Sequence, residues 1–478
     1  DEREEKPLAF ATMLIPSMNP PTPSGIPLRM EGRATSPRAP QDAVFVHEPL
    51  VSGAMRRSHP TGLEGNRQQQ VGTRGPARPS HRGEKKNGDA DLPACRPPTR
   101  RFMGRGRLGR VSQVAFVGLA SILLQLLVGQ RSLRAGDPFA ASGAEQSPVH
   151  FEHVVVDAQP PHNPWTKLAG DFNSDGRLDV AIAGQNGPLV WYANPGWTKH
   201  EVAAGGWRTV AGAVGDVDGD GDADIVPGAQ VWFENPKPHG DPARSIWQVH
   251  RISDIGSHDV ALVDLDRDGR LDLVARDQSG FGNNRGNRLH FWRQEGLDQW
   301  RYHAVGAPHG EGSVVTDLDR DGDLDVVIGG QWFENDGRVD GTWRSHAFTT
   351  NWTWADTKVA VGDLNSDGRT DVVLAPAEYQ GQHYRFAWYE APATAKQHDW
   401  PEHVVEAPVE AVMHGLAVAH MDGDQAPDLV TARMHQGAAP QEVSVYLNQG
   451  KGLTWRKVVV SQSGSHDILV ADFDGDGR

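Results

Sequence analysis

From residue 148 onward the chain reads as short apolar or alternating runs separated by polar turns, and the same order of runs returns again and again. A β-branched run such as DVAIA, DIVPG, DLVAR, DVVIG or DVVLA is followed by an aromatic one: VWYANP, VWFENP, HFW, QWFEN, AWYEAP or VYLN. Next comes W-x-x-H, with Trp197/His200, Trp247/His250, Trp300/His303, Trp343/His346 and Trp400/His403. A further alternating run such as HDVALVD precedes each unit. Period-two alternation over short runs predicts strands, and four short strands per unit at this repeat length predict a β-propeller blade. The expected fold is all-β, a seven-bladed propeller over 148–478 that is cut short within its seventh blade. The strand around Phe151 to Val156 matches the W-x-x-H strand without its Trp, and is expected to close the ring against blade seven.

Between that preceding run and the β-branched run lies an acidic loop, D-x-(D/N)-x-D-G-x-x-D, written seven times at spacings of 45 to 57 residues. Oxygen-bearing side chains at loop positions 1, 3, 5 and 9, with Gly at position 6 for the turn, form a cage suited to calcium rather than to a softer ion. The predicted ligands are Asp171, Asn173, Asp175 and Asp179, then Asp216, Asp218, Asp220 and Asp224, then Asp264, Asp266, Asp268 and Asp272. Blade four offers Asp317, Asp319, Asp321 and Asp325; blade five offers Asp363, Asn365, Asp367 and Asp371; the last copy offers Asp472, Asp474 and Asp476. The sixth copy, HMDGDQAPD, has His420 for the first acid and Gln425 for the Gly, so a weak or empty site is expected there. An EF-hand is excluded, because position 12 is Ile182, Pro227, Ala275, Ile328 or Leu374 and the flanks are strands. Bare Asp-Gly turns would not need the additional acids.

The Trp and His of W-x-x-H recur at the outer strand, where packing and hydrogen bonding are expected. The aromatic run is expected to fill the space between blades.

Residues 1–102 are rich in Pro, Arg, Gly and Ser, without an apolar period, and are expected to be disordered and absent from the mature protein. Residues 103–144 carry Arg105, Arg107 and Arg110, an apolar run from Val114 to Val128 and then small residues, the pattern of a signal peptide. The apolar run is short for a spanning helix, so no stable membrane span is expected after cleavage. A secreted, periplasmic or cell-surface protein follows.

Charge divides the same way. Residues 1–140 hold 21 Lys+Arg against 12 Asp+Glu, leaving 26 against 50 beyond them. Much of that acidity sits in the loops, where calcium would offset it, and nucleic acid is an unsuitable partner. The single cysteine, Cys95, precedes the signal segment. Several calcium ions would then supply the cross-linking that disulfides supply elsewhere.

These loops resemble the FG-GAP-like, or VCBS, repeat family of secreted bacterial calcium-binding propellers, and the likeness covers roughly 148–478. Integrin α-subunit propellers share the loop, but their Phe-Gly and Gly-Ala-Pro marks are not regularly placed here, so integrin-style partner binding is not implied. The family implies a calcium-bound scaffold and leaves its ligand open.

Counting six residues back from each loop gives Trp165, Val210, His258, Glu311, Thr357, His414 and His466, positions expected to ring one mouth of the central channel. His309, Asp259 and Asp467 are their sequence neighbours. The same face should carry the long connections of blades three, five and six, with Arg276, Asn283, Asn284 and Arg285; Glu378, Tyr379, His383 and Arg385; and Arg433, His435 and Gln436. A merely polar, water-filled channel is one reading of these residues. Two functional ones stand beside it. One is a scaffold binding carbohydrate or an extracellular protein without chemistry. The other is a carbohydrate lyase or dehydratase, with a transition metal or acid/base site on His258, Glu311, His414 and His466. The histidine-bearing strands are similar to the propeller part of fungal aldos-2-ulose dehydratase, although no cupin segment is present here.

Overall fold

The structure, a computed structural model, describes residues 12–16, 149, 151–184, 187–205, 210–277 and 287–475. The expected signal segment, nearly all of 1–102, and Asn283, Asn284, Arg285 and Asp476 lie outside these residues.

Among the described residues, six antiparallel four-stranded sheets follow one another, each with its strands in sequence order. Blade one runs from Thr166–Gly170 to Thr198–Ala203, blade two from Ala213–Gly215 to Gln248–Arg251, and blade three from Asp259–Val263 to Gln299–Gly306. Blade four spans Val314–Thr316 to Arg344–Ala347, blade five Thr357–Gly362 to Glu402–Ala411, and blade six Met413–Ala419 to Trp455–Ser461.

The expected seventh blade is corrected to six. Among the described residues, 464–475 carry most of the seventh loop but no strand. They nevertheless take up the next position in the ring. Ile468 and Val470 pack against the blade-six cluster of Ala417, Met421, Val430, Val445 and Leu447, and Phe473 packs against Val180, Ile182, Val190 and Tyr192 of blade one. The strand Phe151–Val155 pairs with Thr12–Pro16 rather than with a seventh blade. That short run, TMLIP, is extended chain.

The aromatic runs fill the gaps between blades, as expected. Trp191, Trp232, Trp292, Trp332 and Trp388 are each at most 2% exposed, and truncating such a side chain costs about 3–5 kcal/mol. The W-x-x-H histidines lie on them: His250 stacks on Trp232 at 4.2 Å and His403 on Trp388 at 4.3 Å. His250, His346 and His403 each also meet a glutamate, at 2.7, 2.7 and 2.9 Å.

Candidate functional site

Each acidic loop is shaped by its own carboxylates. In the first, Asp171 accepts from the backbone N–H of Asp175 at 2.9 Å and of Gly176 at 2.8 Å. Gly176, Gly221, Gly269, Gly322 and Gly368 hold φ between +81° and +100°, where a side chain is strained. Gln425 occupies that place in the sixth loop.

Position 9 has a role that spacing does not reveal. Asp179 is fully buried and accepts from Phe172 N at 3.1 Å and Asn194 N at 2.8 Å, one bond on each oxygen. Asp224, Asp272, Asp325, Asp371 and Asp428 repeat this arrangement, each bonding the second residue of its loop and the end of its third strand. Burial raises Asp224 to about 8 and Asp179 to about 6. In blades two, three and four, oxygens of positions 1, 3 and 9 lie within 4.8 Å of one another: Asp216, Asp218 and Asp224; Asp264, Asp266 and Asp272; Asp317, Asp319 and Asp325. This all-oxygen, anionic donor set fits a hard divalent cation.

Beside the loops, an amide latches neighbouring blades together. The Nδ2 of Asn235 donates to Phe172 O of blade one at 3.0 Å, Asn335 to Leu265 O of blade three at 3.2 Å, and Asn448 to Leu364 O of blade five at 2.8 Å. Gln294 plays the same part toward Val217 O. Asn194 reaches Phe473 O at 2.7 Å, so the segment after blade six takes the place of blade one's neighbour.

At the channel, His258, Glu311 and His414 converge as the sequence predicts, and Glu378, expected only on a rim connection, joins them. His258 Nε2 stands 3.3 Å from Glu311 Oε2, and His414 Nε2 3.3 Å from Glu378 Oε1, 3.6 Å from Glu311 Oε1 and 3.2 Å from His258 Nε2. His466 stays outside this knot. Its backbone carbonyl meets His414 Nδ1 at 2.6 Å, and its ring stacks on Trp165 at 4.6 Å. Thr357 turns away, accepting from Trp352 Nε1 and donating to Trp354 O.

Two cations support the cluster from behind. Lys358 Nζ lies 3.1 Å from Asp259 Oδ1, whose other oxygen meets His258 Nδ1 at 3.2 Å and accepts from Gly312 N at 2.8 Å. The Arg276 guanidinium donates to the carbonyls of Glu311, Gly312 and Pro308 at 2.8–2.9 Å, fixing the backbone that carries Glu311. Sequence reasoning missed Lys358; its signal was a charge inside the otherwise apolar strand TKVAVG.

Burial opposes a charged His258, but Glu311 and Asp259 outweigh it and raise the imidazole to about 9. Burial lifts Glu311 to about 8. His414 is pushed well down by burial and by Lys358 and His258. Burial lowers Arg276 to about 10. Asp259, though buried, is held well below the usual range by Lys358 and His258.

A model of the FG-GAP-like repeat matches residues 171–226, 264–328, 317–374 and 420–478. The chain is an FG-GAP-like repeat protein. No curated protein matches it. Among solved structures, this FG-GAP-like protein is similar to the periplasmic gluconolactonase PpgL of Pseudomonas aeruginosa, at 13% identity over 67% of this chain and 91% of that one, with a TM-score of 0.40. A rhamnogalacturonan lyase of Bacillus licheniformis is 15% identical over 65% of this chain and 63% of its own, TM-score 0.34. The Aleuria aurantia lectin in complex with Fucalpha1-6GlcNAc is 13% identical over 62% and 96%, TM-score 0.34. Likenesses this distant carry no argument about activity.

Proposed function

We propose that this FG-GAP-like protein is a calcium-stiffened propeller that works outside the cytoplasm as a carbohydrate-binding scaffold, with blade five supplying the binding wall. One observation carries this reading: Trp354, Tyr379 and Tyr384 form a partly exposed aromatic cluster where blade five's second strand gives way to its third. Trp354 lies 5.5 Å from Tyr379 and 5.4 Å from Tyr384, and the Arg385 guanidinium lies 4.6 Å over the Tyr384 ring. The outer strands here, Tyr379–Tyr389 and Glu402–Ala411, run to 11 and 10 residues, against 4 each in blades two and four. That leaves one side of the mouth walled by rings and by the exposed amides of Gln380 and Gln382. Aromatic faces beside a few polar groups suit the alternately apolar and hydroxylated faces of a sugar.

Calcium would sit in the acidic loops, neutralising carboxylates otherwise crowded together and rigidifying the frame that holds the wall. Among the described residues no helix is long and apolar enough to cross a membrane.

The lyase or dehydratase reading requires His258, Glu311 and His414 to reach a substrate. Each is at most 1% exposed, which favours binding over chemistry at that cluster. Glycan-array screening of the calcium-loaded chain, followed by calorimetry on the best ligand, tests the proposal. Binding that weakens at least tenfold in Trp354→Ala, with melting unchanged, supports it. A panel without ligands, or binding indifferent to Trp354, defeats it.

A further inference from the structure

The knot of His258, Glu311, Glu378 and His414 gathers two imidazoles and two carboxylates in the interior. Each residue comes from a different blade: three, four, five and six. One ligand atom from each falls within 4.8 Å of the others. Both Glu311 oxygens are buried without a hydrogen-bond partner, and the residue is 0% exposed.

The tautomers are set from outside the knot. His258 Nδ1 faces the Asp259 carboxylate and His414 Nδ1 faces the His466 carbonyl, and both of these groups only accept. Each Nδ1 must therefore donate, so a neutral ring presents its lone pair at Nε2. The two Nε2 atoms face one another across 3.2 Å, with two carboxylates alongside, and without an ion a proton on His258 Nε2 holds them together.

A divalent cation between them can take the place of that proton and meet all four side chains. Four tetrahedral ligands at about 2.0–2.1 Å from an ion lie about 3.3–3.4 Å from each other. Three of the separations found are of this size: 3.2 Å between the two Nε2 atoms, 3.3 Å from His258 to Glu311 Oε2 and 3.3 Å from His414 to Glu378 Oε1. Two glutamates and two neutral imidazoles carry the charge that one divalent ion balances, and Asp259 is already answered by Lys358. Histidine ligands whose second nitrogen donates to a carboxylate or a carbonyl are the usual outer shell of such sites. Glu378 supports the reading independently. It holds φ of +75°, a strained conformation for a side-chain-bearing residue, and in it reaches His414.

We propose that His258, Glu311, Glu378 and His414 bind one first-row divalent transition ion, zinc foremost, as a closed structural site that pins four blades at the channel. Imidazole nitrogen with carboxylate oxygen in tetrahedral array selects such an ion over calcium, which takes more ligands, all oxygen, at longer range. Asp259 and Arg276 act as positioning residues. The site stands whether or not blade five binds sugar.

The test uses the untagged full chain, kept in excess calcium so that the acidic loops are not in play. After zinc or cobalt loading and gel filtration, elemental analysis should give one transition ion per chain, and the cobalt form should show the intense visible bands of four-coordinate geometry. His258→Gln and Glu378→Gln should each abolish the bands while calcium content holds. Asp259→Asn should weaken zinc by about 10- to 100-fold. No ion retained by the wild-type chain in excess calcium overturns the proposal, as does equal retention by both ligand variants. Should a variant fail to fold, the wild-type stoichiometry and cobalt spectrum decide alone, an octahedral spectrum counting against the site.

Discussion

His414 Nε2 lies 3.2 Å from His258 Nε2, although 156 residues separate them and they belong to blades six and three. Closure of the ring, rather than anything local, brings the two rings together. What surrounds them is equally long-range: Lys358 of blade five reaches back to Asp259 of blade three.

Lys358→Met should destabilise the protein by about 3–5 kcal/mol, the usual consequence of leaving a buried charge without its partner. Asp259 would keep only His258 and the Gly312 amide as neighbours. Urea unfolding of the calcium-loaded chain measures this, and a change under 1 kcal/mol, roughly the value of an exposed pair, would show Asp259 to be solvated instead.

The position-9 aspartates predict an unusual pH dependence without calcium. Their folded-state values are raised by burial from 3.8 to about 6 in Asp179, about 7 in Asp272, Asp325, Asp371 and Asp428, and about 8 in Asp224. A raised carboxyl binds more protons folded than unfolded, so stability falls as pH climbs from about 4 to about 8 and is flat above. In chelator the urea midpoint should therefore be lower at pH 8 than at pH 5. Saturating calcium should reverse the order, since protons then compete with the ion. A calcium-free midpoint that rises over this window would contradict the buried, ion-free carboxyls.

Asp428→Ala separates the structural role of position 9 from ion binding. Its loop has His420 and Gln425 where the others have Asp and Gly, yet Asp428 still accepts from Met421 N and Asn448 N at 2.8 Å each. Losing the acceptor of two buried amides should cost about 2–5 kcal/mol. Calcium stoichiometry by elemental analysis should not change. If it drops by one ion, the sixth loop binds after all.

Asn194→Ala should loosen the junction between blade one and the segment after blade six by about 1–2 kcal/mol, because Phe473 O and Leu178 O lose their donor. Hydrogen exchange should quicken in residues 464–475 first. Uniform quickening through all six blades would instead mean that the junction is not a separate weak point.

The repeating architecture was legible in the sequence because it is local. The acidic loop, the β-branched run and the aromatic run sit at fixed offsets within each unit, so period and residue type were enough to predict four-stranded blades, buried Trp191 and Trp232, and the packing role of His250 and His403. The convergence of His258, Glu311 and His414 was legible too, since equivalent positions of repeated units must form a ring. The acidic loop recurs seven times, but a loop is not yet a blade: 464–475 takes up no strand among the described residues, and pairing is settled by the neighbouring strands rather than by the motif. Nor could spacing show that Asp179 and its equivalents spend both oxygens on backbone amides, because one of the two donors lies beyond the next strand, 15 residues on in blade one and 22 in blade three. Arg276 and Glu378 were legible only as rim residues, and Lys358, at the register of Asp259, was passed over because nothing local shows which of these side chains turn toward the knot. Only the tertiary fold, by setting four blades around one axis, decided which histidine joins the knot and which merely supplies a carbonyl behind it.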